Sequence, residues 1–282
     1  MNVATEQWVR ILVFGIALAA FVTWEIMAPR RDRRLPLLRR WPSNLGIVVL
    51  DTLVVRLLFP ITAVGLALVC EARGWGLLQN VPLPGWASLP LAIIALDLAI
   101  YLQHVLFHAV PVLWRLHRMH HADQDIDVTT GLRFHPIEIV LSMAIKLAVV
   151  AALGAPAIAV LAFEVLLNAT SMFNHSNVAM PLGLDRVMRW LVVTPDMHRV
   201  HHSVVIRETN SNFGFNLPWW DRLFGTYRSQ PEGGHAAMTI GIPQFRHVGE
   251  QRLDRMVTQP FRDDTAAKRI GADGAESEKR RL

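Results

Sequence analysis

A chain of 282 residues could hold one or two soluble domains, but 52% hydrophobic residues and a mean hydropathy of +0.30 make a membrane, not water, its expected surroundings. A single cysteine, Cys70, excludes an internal disulfide and a thiolate-rich metal site, which leaves imidazole and carboxylate as ligands and favours iron or zinc. The net charge of +5 would suit nucleic acid, yet the arginines gather beside an apolar span and in the tail, where anionic lipid headgroups account for them, so no nucleic-acid partner is expected.

The first apolar stretch, Trp8 to Met27, is long enough to cross a bilayer, with Arg10 near its start and Glu25 near its end. It is too long for an ordinary signal peptide and lacks a small-residue cleavage site, so it is expected to stay as a transmembrane helix. Arg30, Arg31, Arg33, Arg34, Arg39 and Arg40 follow at once, and the positive-inside rule puts that loop in the cytoplasm. A second run, Leu45 to Val69, returns outward. Its Asp51 and Arg56 are costly in lipid and are expected to face the bundle interior or each other. A link rich in Gly, Pro and Trp leads to a third run from Leu91, on which Asp97, Tyr101, His104 and His108 form one helical stripe of polar groups.

The histidines begin here. His104 and His108 are four apart, and His117, His120 and His121 follow after Pro111, which removes a backbone donor and is expected to end the membrane helix. Without that bend the two groups would lie about 20 Å apart on one straight helix. Taken alone, a histidine pair four apart is a weak signal, but His198, His201 and His202 repeat the H-x-x-H-H spacing much later in the chain. Packing gives no reason to gather half-polar rings at the mouth of an apolar bundle, whereas neutral imidazole is the commonest metal ligand. Three clusters exceed the four ligands of one tetrahedral ion and suit two metals.

Asp123, Asp125 and Asp127 lie in a polar loop, either as acceptors that orient ligating imidazoles or as an ordinary solvated segment. His135, before a proline, ranks below the clustered histidines. From Ile137 to Phe173 an apolar stretch is broken at Gly154-Ala-Pro156, and each half spans about 25 Å as helix, short of a hydrocarbon core of roughly 30 Å. Because the third histidine group must meet the first two, this stretch is expected to be a hairpin, not one long crossing. Its returning limb carries a second polar stripe, Glu164, Asn168, Ser171 and His175, which makes His175 an expected ninth ligand. Leu184 to Val193 reads as an amphipathic helix on the membrane, and Thr194-Pro195-Asp196 as a helix start. Pro218 to Tyr227 joins aromatics to charges as an interfacial anchor would. Disorder is expected past Gln259, and His235 and His247 read as surface residues.

The fold expected is all-α, an integral membrane helical bundle with a histidine-rich cap on the cytoplasmic side. It divides into N-terminal transmembrane helices over 1–90, a di-metal domain over 91–230 and a tail over 231–282.

These residues resemble the fatty acid hydroxylase and sterol desaturase superfamily of integral membrane di-iron enzymes. The match runs through His104/His108, His117/His120/His121 and His198/His201/His202 in order, with Arg133-Phe-His135-Pro136, Asn174-His175-Ser176 and Trp220-Asp-Arg-Leu-Phe-Gly-Thr226 as accessory features. It covers about Leu91 to Tyr227. The resemblance implies two irons, with zinc a possible substitute, held by the eight clustered histidines and His175, and dioxygen activated between them. Some relatives carry a further histidine four residues after the one matching His175, where this chain has Ala179; that implies an open or carboxylate-filled position, with Glu164 a candidate. His135, Asp127 and Asn168 are the remaining candidates for outer positions. The substrate implied is a lipid or sterol-like molecule, hydroxylated or desaturated with O2, and electrons must come from a separate reductase, ferredoxin or cytochrome, since no G-x-G-x-x-G follows a strand. Two other classes compete: a heme-type electron carrier, which would use axial histidines on facing helices, and a metal-binding membrane protein without redox chemistry.

Overall fold

The computed structural model describes residues 3–263, and they form helices joined by loops, without strands; two isolated bridges, Pro29 with Val178 and Ser203 with Ile240, are the only β pairings among them. Five segments are long and apolar enough to cross a membrane. Helix α1 (Val3–Met27) runs beside α7 (Ala157–His175). At its lower end the buried Glu25 accepts from the amides of Val128, 2.7 Å, and Asn177, 2.6 Å, and so ties the helix to two loops of the histidine-bearing cap.

The second apolar run differs from expectation. It starts earlier, as α2 (Leu37–Leu58), is interrupted at Phe59–Ile61, and resumes as α3 (Ala63–Arg73). Pro60 cannot continue the helix and Thr62 restarts it by accepting from the Gly65 amide, 3.0 Å. The two pieces carry the chain from the cap, where Arg40 and Asn44 bond to Asp123, to the opposite end, where the turn after α3 lies against Gly154. That approach is close enough that a Cβ on Gly76 would stand 2.1 Å from the Gly154 amide nitrogen. Gly154 itself sits at φ +60°, a conformation open to glycine at no steric cost.

Helix α6 (Pro136–Leu153) and α7 form the hairpin with its apex at Gly154–Pro156, so Glu138 at the start of one and His175 at the end of the other arrive at the same level. Helix α4 (Gly85–Ala109) ends there too, and Val110 in an extended conformation lets Pro111 start α5 (Pro111–His121) in a new direction. A core of small and branched side chains, among them Ala67, Leu96, Val160 and Phe163, locks α3, α4, α6 and α7 together away from the histidines. Two short helices follow, α8 (Leu182–Met188) and α9 (Pro195–His201), the second capped by Thr194.

The polar stripe of α4 grips the loop from Asn210 to Thr226. Asp97 accepts from Asn216 Nδ2 at 2.7 Å and Trp220 Nε1 at 2.8 Å, and the Tyr101 hydroxyl pairs with Thr226 at 2.9 Å. Trp220 is therefore half-buried and bonded into the protein, while Trp219, 43% exposed, and Leu223 and Phe224 present apolar surface outward.

The arginine block also finds protein partners where lipid headgroups were expected. Arg30 forms a bidentate pair with Asp196, Arg31 donates to the carbonyls of His235 and Met238, Arg33 approaches Glu25, and Arg40 is fully buried. Guanidinium forks matched to carboxylates and carbonyls are better satisfied there than in water. The same holds for the aspartates of the 123–127 loop. Asp123 takes Arg40 Nε at 2.6 Å and Nη2 at 2.7 Å, Asp127 takes Arg40 Nη1 at 2.5 Å, and Asp125 accepts from the amides of Arg34 and Leu35. None of the three orients an imidazole. Burial works against the Asp123 charge, but Arg40 and Arg133 hold its carboxyl below the usual range.

Residues 259–263 are ordered, contrary to the expectation for the tail. Arg118 donates to the Gln259 and Arg262 carbonyls and Arg115 to that of Pro260, which clamps this segment on α5. The tail beyond 263 lies outside the described residues.

Candidate metal centre

Four elements deliver nine histidines to one place. Helix α4 supplies His104 and His108 in its last turns, α5 supplies His117, His120 and His121, α7 ends in His175, and α9 with its C-cap supplies His198, His201 and His202. They divide into two nests. In the first, one ring nitrogen each from His104, His108, His117, His121 and His201 lies within 4.8 Å of all the others; in the second the same holds for His120, His175, His198 and His202. All nine rings expected as ligands are thus brought together, and among the described residues no carboxylate or thiol joins either nest.

Hydrogen bonds fix which nitrogen points inward. The carbonyls of Phe213, Arg133, Ser171 and Ser211 accept from Nδ1 of His104 (2.7 Å), His120 (3.1 Å), His175 (2.7 Å) and His201 (2.7 Å). A carbonyl can only accept, so in these rings Nδ1 carries the proton and Nε2 presents a lone pair. The Glu138 carboxylate does the same for His117, 2.7 Å from Nδ1. Nε2 of His104 then faces Nε2 of His117 at 3.1 Å, and Nε2 of His175 faces those of His120 and His198 at 3.1 Å each. With no proton between them, the His104/His117 and His120/His175 pairs oppose two lone pairs, an arrangement that only a shared cation relieves. Nitrogens about 2.1 Å from one ion and at right angles about it would stand about 3.0 Å apart, close to what is found.

Protonation is not the way out. Burial first, and the neighbouring imidazoles after it, hold His120, His121, His198, His201 and His202 well below the ordinary histidine range. The Nε2 atoms of His108 and His201 and both ring nitrogens of His121 and His202 are buried without a hydrogen-bond partner, a cost that coordination would remove at one nitrogen of each ring. The donor set, all neutral imidazole, fits a pair of borderline metals such as iron or zinc.

The remaining candidates lie elsewhere. His135 caps α6: its Nδ1 accepts from the Ile137 amide and its Nε2 faces the Val257 carbonyl. Glu164, considered for the position left open by Ala179, is held by Arg10 at 2.5 Å and Lys146 at 2.7 Å and joins neither nest. Its oxygens prefer two cations in an apolar wall to a site already rich in nitrogen donors. Asp127 serves Arg40, and Asn168 donates to the Glu164 carbonyl one turn back. His235, expected at the surface, is buried 3.5 Å from Asp196, whose carboxylate also takes Arg30 and Arg199.

Two positioning residues were not singled out from sequence: Glu138, and Asn210, whose Oδ1 accepts from His108 Nδ1 at 3.2 Å. An acidic residue in a first helical turn reads as an ordinary partner of the helix dipole, and only the approach of α6 to α5 gives Glu138 this other role. A Glu138→Leu variant is expected to lose about 10–100-fold in metal affinity or activity, the range for removal of a group that orients a ligand. Metal titration of the purified variant measures it, and Glu138→Gln, which keeps an acceptor oxygen, should lose less.

The burial of His235 gives a pH dependence. Desolvation, opposed by Asp196, pushes its ring down to about 4. In the unfolded chain the ring titrates near 6.5, so between about pH 6.5 and 4 the unfolded state takes up a proton that the folded state refuses, and stability falls as pH falls through that window. His235→Leu should flatten the fall in melting temperature between pH 7 and 4.5; an unchanged slope would show that this ring is not what titrates.

A cavity of about 500 Å³ opens above the first nest, with His104 and His117 in its lining and Phe14, Val48, Phe107 and Phe134 among its apolar walls. A second, of about 370 Å³, lies between α1, α2 and α7 and shares Phe14, Val48 and Asn168 with the first.

Comparison with known proteins agrees with this geometry. The fatty acid hydroxylase family matches residues 89–226. An ornithine lipid hydroxylase of Rhizobium tropici is 34% identical over 153 residues, which cover 54% of this chain and 44% of that protein. Alkylglycerol monooxygenases of Xenopus tropicalis and Homo sapiens are 29% and 27% identical over 55% and 57% of this chain, and 34% and 35% of their own lengths. The chain therefore spans less than half the length of these relatives. No solved structure matches it. All nine rings lie within residues 89–226, the stretch that matches the fatty acid hydroxylase family and in which this chain is similar to a lipid hydroxylase and to monooxygenases.

Proposed function

We propose that this chain is a membrane-bound di-iron oxygenase that hydroxylates a lipid, with His104, His108, His117, His121 and His201 holding one iron and His120, His175, His198 and His202 the other. The observation that carries this reading is the opposition of imidazole lone pairs at 3.1 Å in both nests, at the foot of an apolar cavity. The chemistry supplied by a bound iron pair is insertion of one atom of O2 into a C–H bond, the other leaving as water with two electrons and two protons from an external donor. Reductase, ferredoxin and cytochrome all qualify as that donor.

The chain's own residues prepare the site. Neutral rings leave the full metal charge in place, which favours anionic reduced oxygen species over neutral competitors. The carbonyls and Glu138 keep His104, His117, His120, His175 and His201 in the right tautomer, and Phe134, stacked on His120 with centroids 4.6 Å apart, helps keep water from the cavity floor. Hydroxylation is favoured over desaturation because the relatives are a hydroxylase and monooxygenases. The exposed Arg34 and Arg39 beside the cap support a cytoplasmic orientation of the histidines.

Metal analysis of protein from iron-replete cells should find two irons per chain, and host lipids should gain hydroxylated species only when the gene is present. Zinc in both nests, or an unchanged lipid profile, would sink the reading; a heme absorbance band would favour the electron carrier instead.

A further inference from the structure

Two ionisable side chains that line the main cavity, Asp51 and Arg56, find no partner in the fold among the described residues. Asp51, in the middle of α2, is 8% exposed and lines the cavity with His104, His117 and Glu138, and its Oδ1 is buried without a hydrogen-bond partner. Other acids on the spanning helices are engaged: Glu164 by Arg10 and Lys146, Asp97 by Trp220 and Asn216, Glu138 by His117 and Glu25 by two backbone amides. Asp51 is two turns above Asn44, which bonds into the cap, and is an electrostatic neighbour of Glu138, so it stands near the histidine end. Five residues further, about 7.5 Å along the helix, Arg56 lines both cavities and has no ionic or hydrogen-bonding partner among the described residues.

An alkyl chain filling this space would press methylenes on Asp51 and leave it desolvated with nothing to bond, while Arg56, more exposed, would stay without a counter-charge. A headgroup bearing a donor and an acceptor would satisfy both. Past Arg10 and Arg56, which it shares with the first, the lateral cavity is walled by Ile11, Val13, Phe14, Val165, Ala169 and Met172, a stretch that suits hydrocarbon.

Building on the oxygenase reading above, we propose that the lipid enters headgroup first: Asp51 accepts a hydrogen bond from an ammonium or hydroxyl group of the headgroup, Arg56 holds an acidic or ester oxygen, and the acyl chains lie out between α1 and α2.

The test uses full-length, metal-loaded protein in detergent and three amphiphiles with the same acyl chain: an N-acyl diamino acid with free ammonium and carboxylate, a monoacylglycerol, and a methyl ester. At least one donor-bearing amphiphile should bind about tenfold tighter than the ester, as one buried hydrogen bond predicts. Asp51→Leu should abolish that preference without weakening the ester. Asp51→Asn separates the two donors, weakening the ammonium amphiphile while retaining the monoacylglycerol. Equal binding of the ester to wild type, or a preference that survives in Asp51→Leu, overturns the proposal. Arg56→Gln, which lies in no packed core, keeps it testable should the Asp51 variants fail to fold, and should weaken the carboxylate-bearing amphiphile by a similar factor. Iron content is read on the same samples: iron-free wild type would end the oxygenase reading, while the binding comparison would stand by itself.

Discussion

Replacing His175 by alanine should strip the second nest of its metal and lower lipid oxidation by more than about 100-fold, beyond the roughly 10–100-fold typical when only an orienting group is lost. His175 is the ring on which that nest closes: its Nε2 lies 3.1 Å from Nε2 of both His120 and His198, and its Nδ1 is anchored to the Ser171 carbonyl of its own helix. Its removal takes away one of four donors and leaves His120 and His198 without their common neighbour. The helix itself should persist, since alanine is the best helix former, and α7 is held by α1, α3 and α4. The variant should therefore fractionate with membranes like wild type. Elemental analysis should find about half the iron, and mass spectrometry of host lipids should find no oxidised product. A variant that keeps two irons and wild-type product would show that this ring is packing and not a ligand. His135→Ala is the matched control. It removes a helix cap, worth about 1 kcal/mol, and should leave both irons in place.

The largest loss of stability is expected at Arg40, which no part of the chemistry touches. Its guanidinium is fully buried and spread over Asp123, Asp127, the Asp125 carbonyl and Thr130. Arg40→Ala would leave the buried Asp127 without its counter-charge and Asp123 with only Arg133, 4.0 Å away, a defect of about 3–5 kcal/mol. For a domain of this size that corresponds to a fall in melting temperature on the order of 10 °C. Because the 123–131 loop follows directly on His120 and His121, iron should be lost with the fold and not before it. Arg40→Ala combined with Asp123→Asn and Asp127→Asn should recover part of the loss, since the same argument holds that the unpaired charges cost more than the absent ion pair. A melting temperature within a degree or two of wild type would mean that water reaches the network and screens it.

Much of the centre was written in local spacing. His104 and His108, or His198 and His201, share a helix face because the α-helix repeats every 3.6 residues, and Pro111 had to break the chain between the first two groups. The hairpin at Gly154–Pro156 followed from lengths: neither half could cross a bilayer with ease, and the third group had to come back. Other features were not legible because they depend on what approaches from far along the chain. Nothing local separates Glu164, which pairs with Arg10 from another helix, from Glu138, which meets His117 because α6 starts beside α5. Nor could local pattern tell that the aspartates of the 123–127 loop would be claimed by Arg40, or that His235 would be covered.

What the sequence determined by itself is therefore the set of rings, the elements that carry them and the bends between, all consequences of backbone periodicity and of proline and glycine. What only the tertiary structure decided is how nine rings sort into a nest of five and a nest of four, which nitrogen of each faces inward, and which buried charges find partners and which, like Asp51, do not. Ring sorting and tautomer depend on side-chain directions and on carbonyls from the 211–213 loop and the turn at Arg133, contacts set by how the helices pack across long stretches of chain and not by any single one of them.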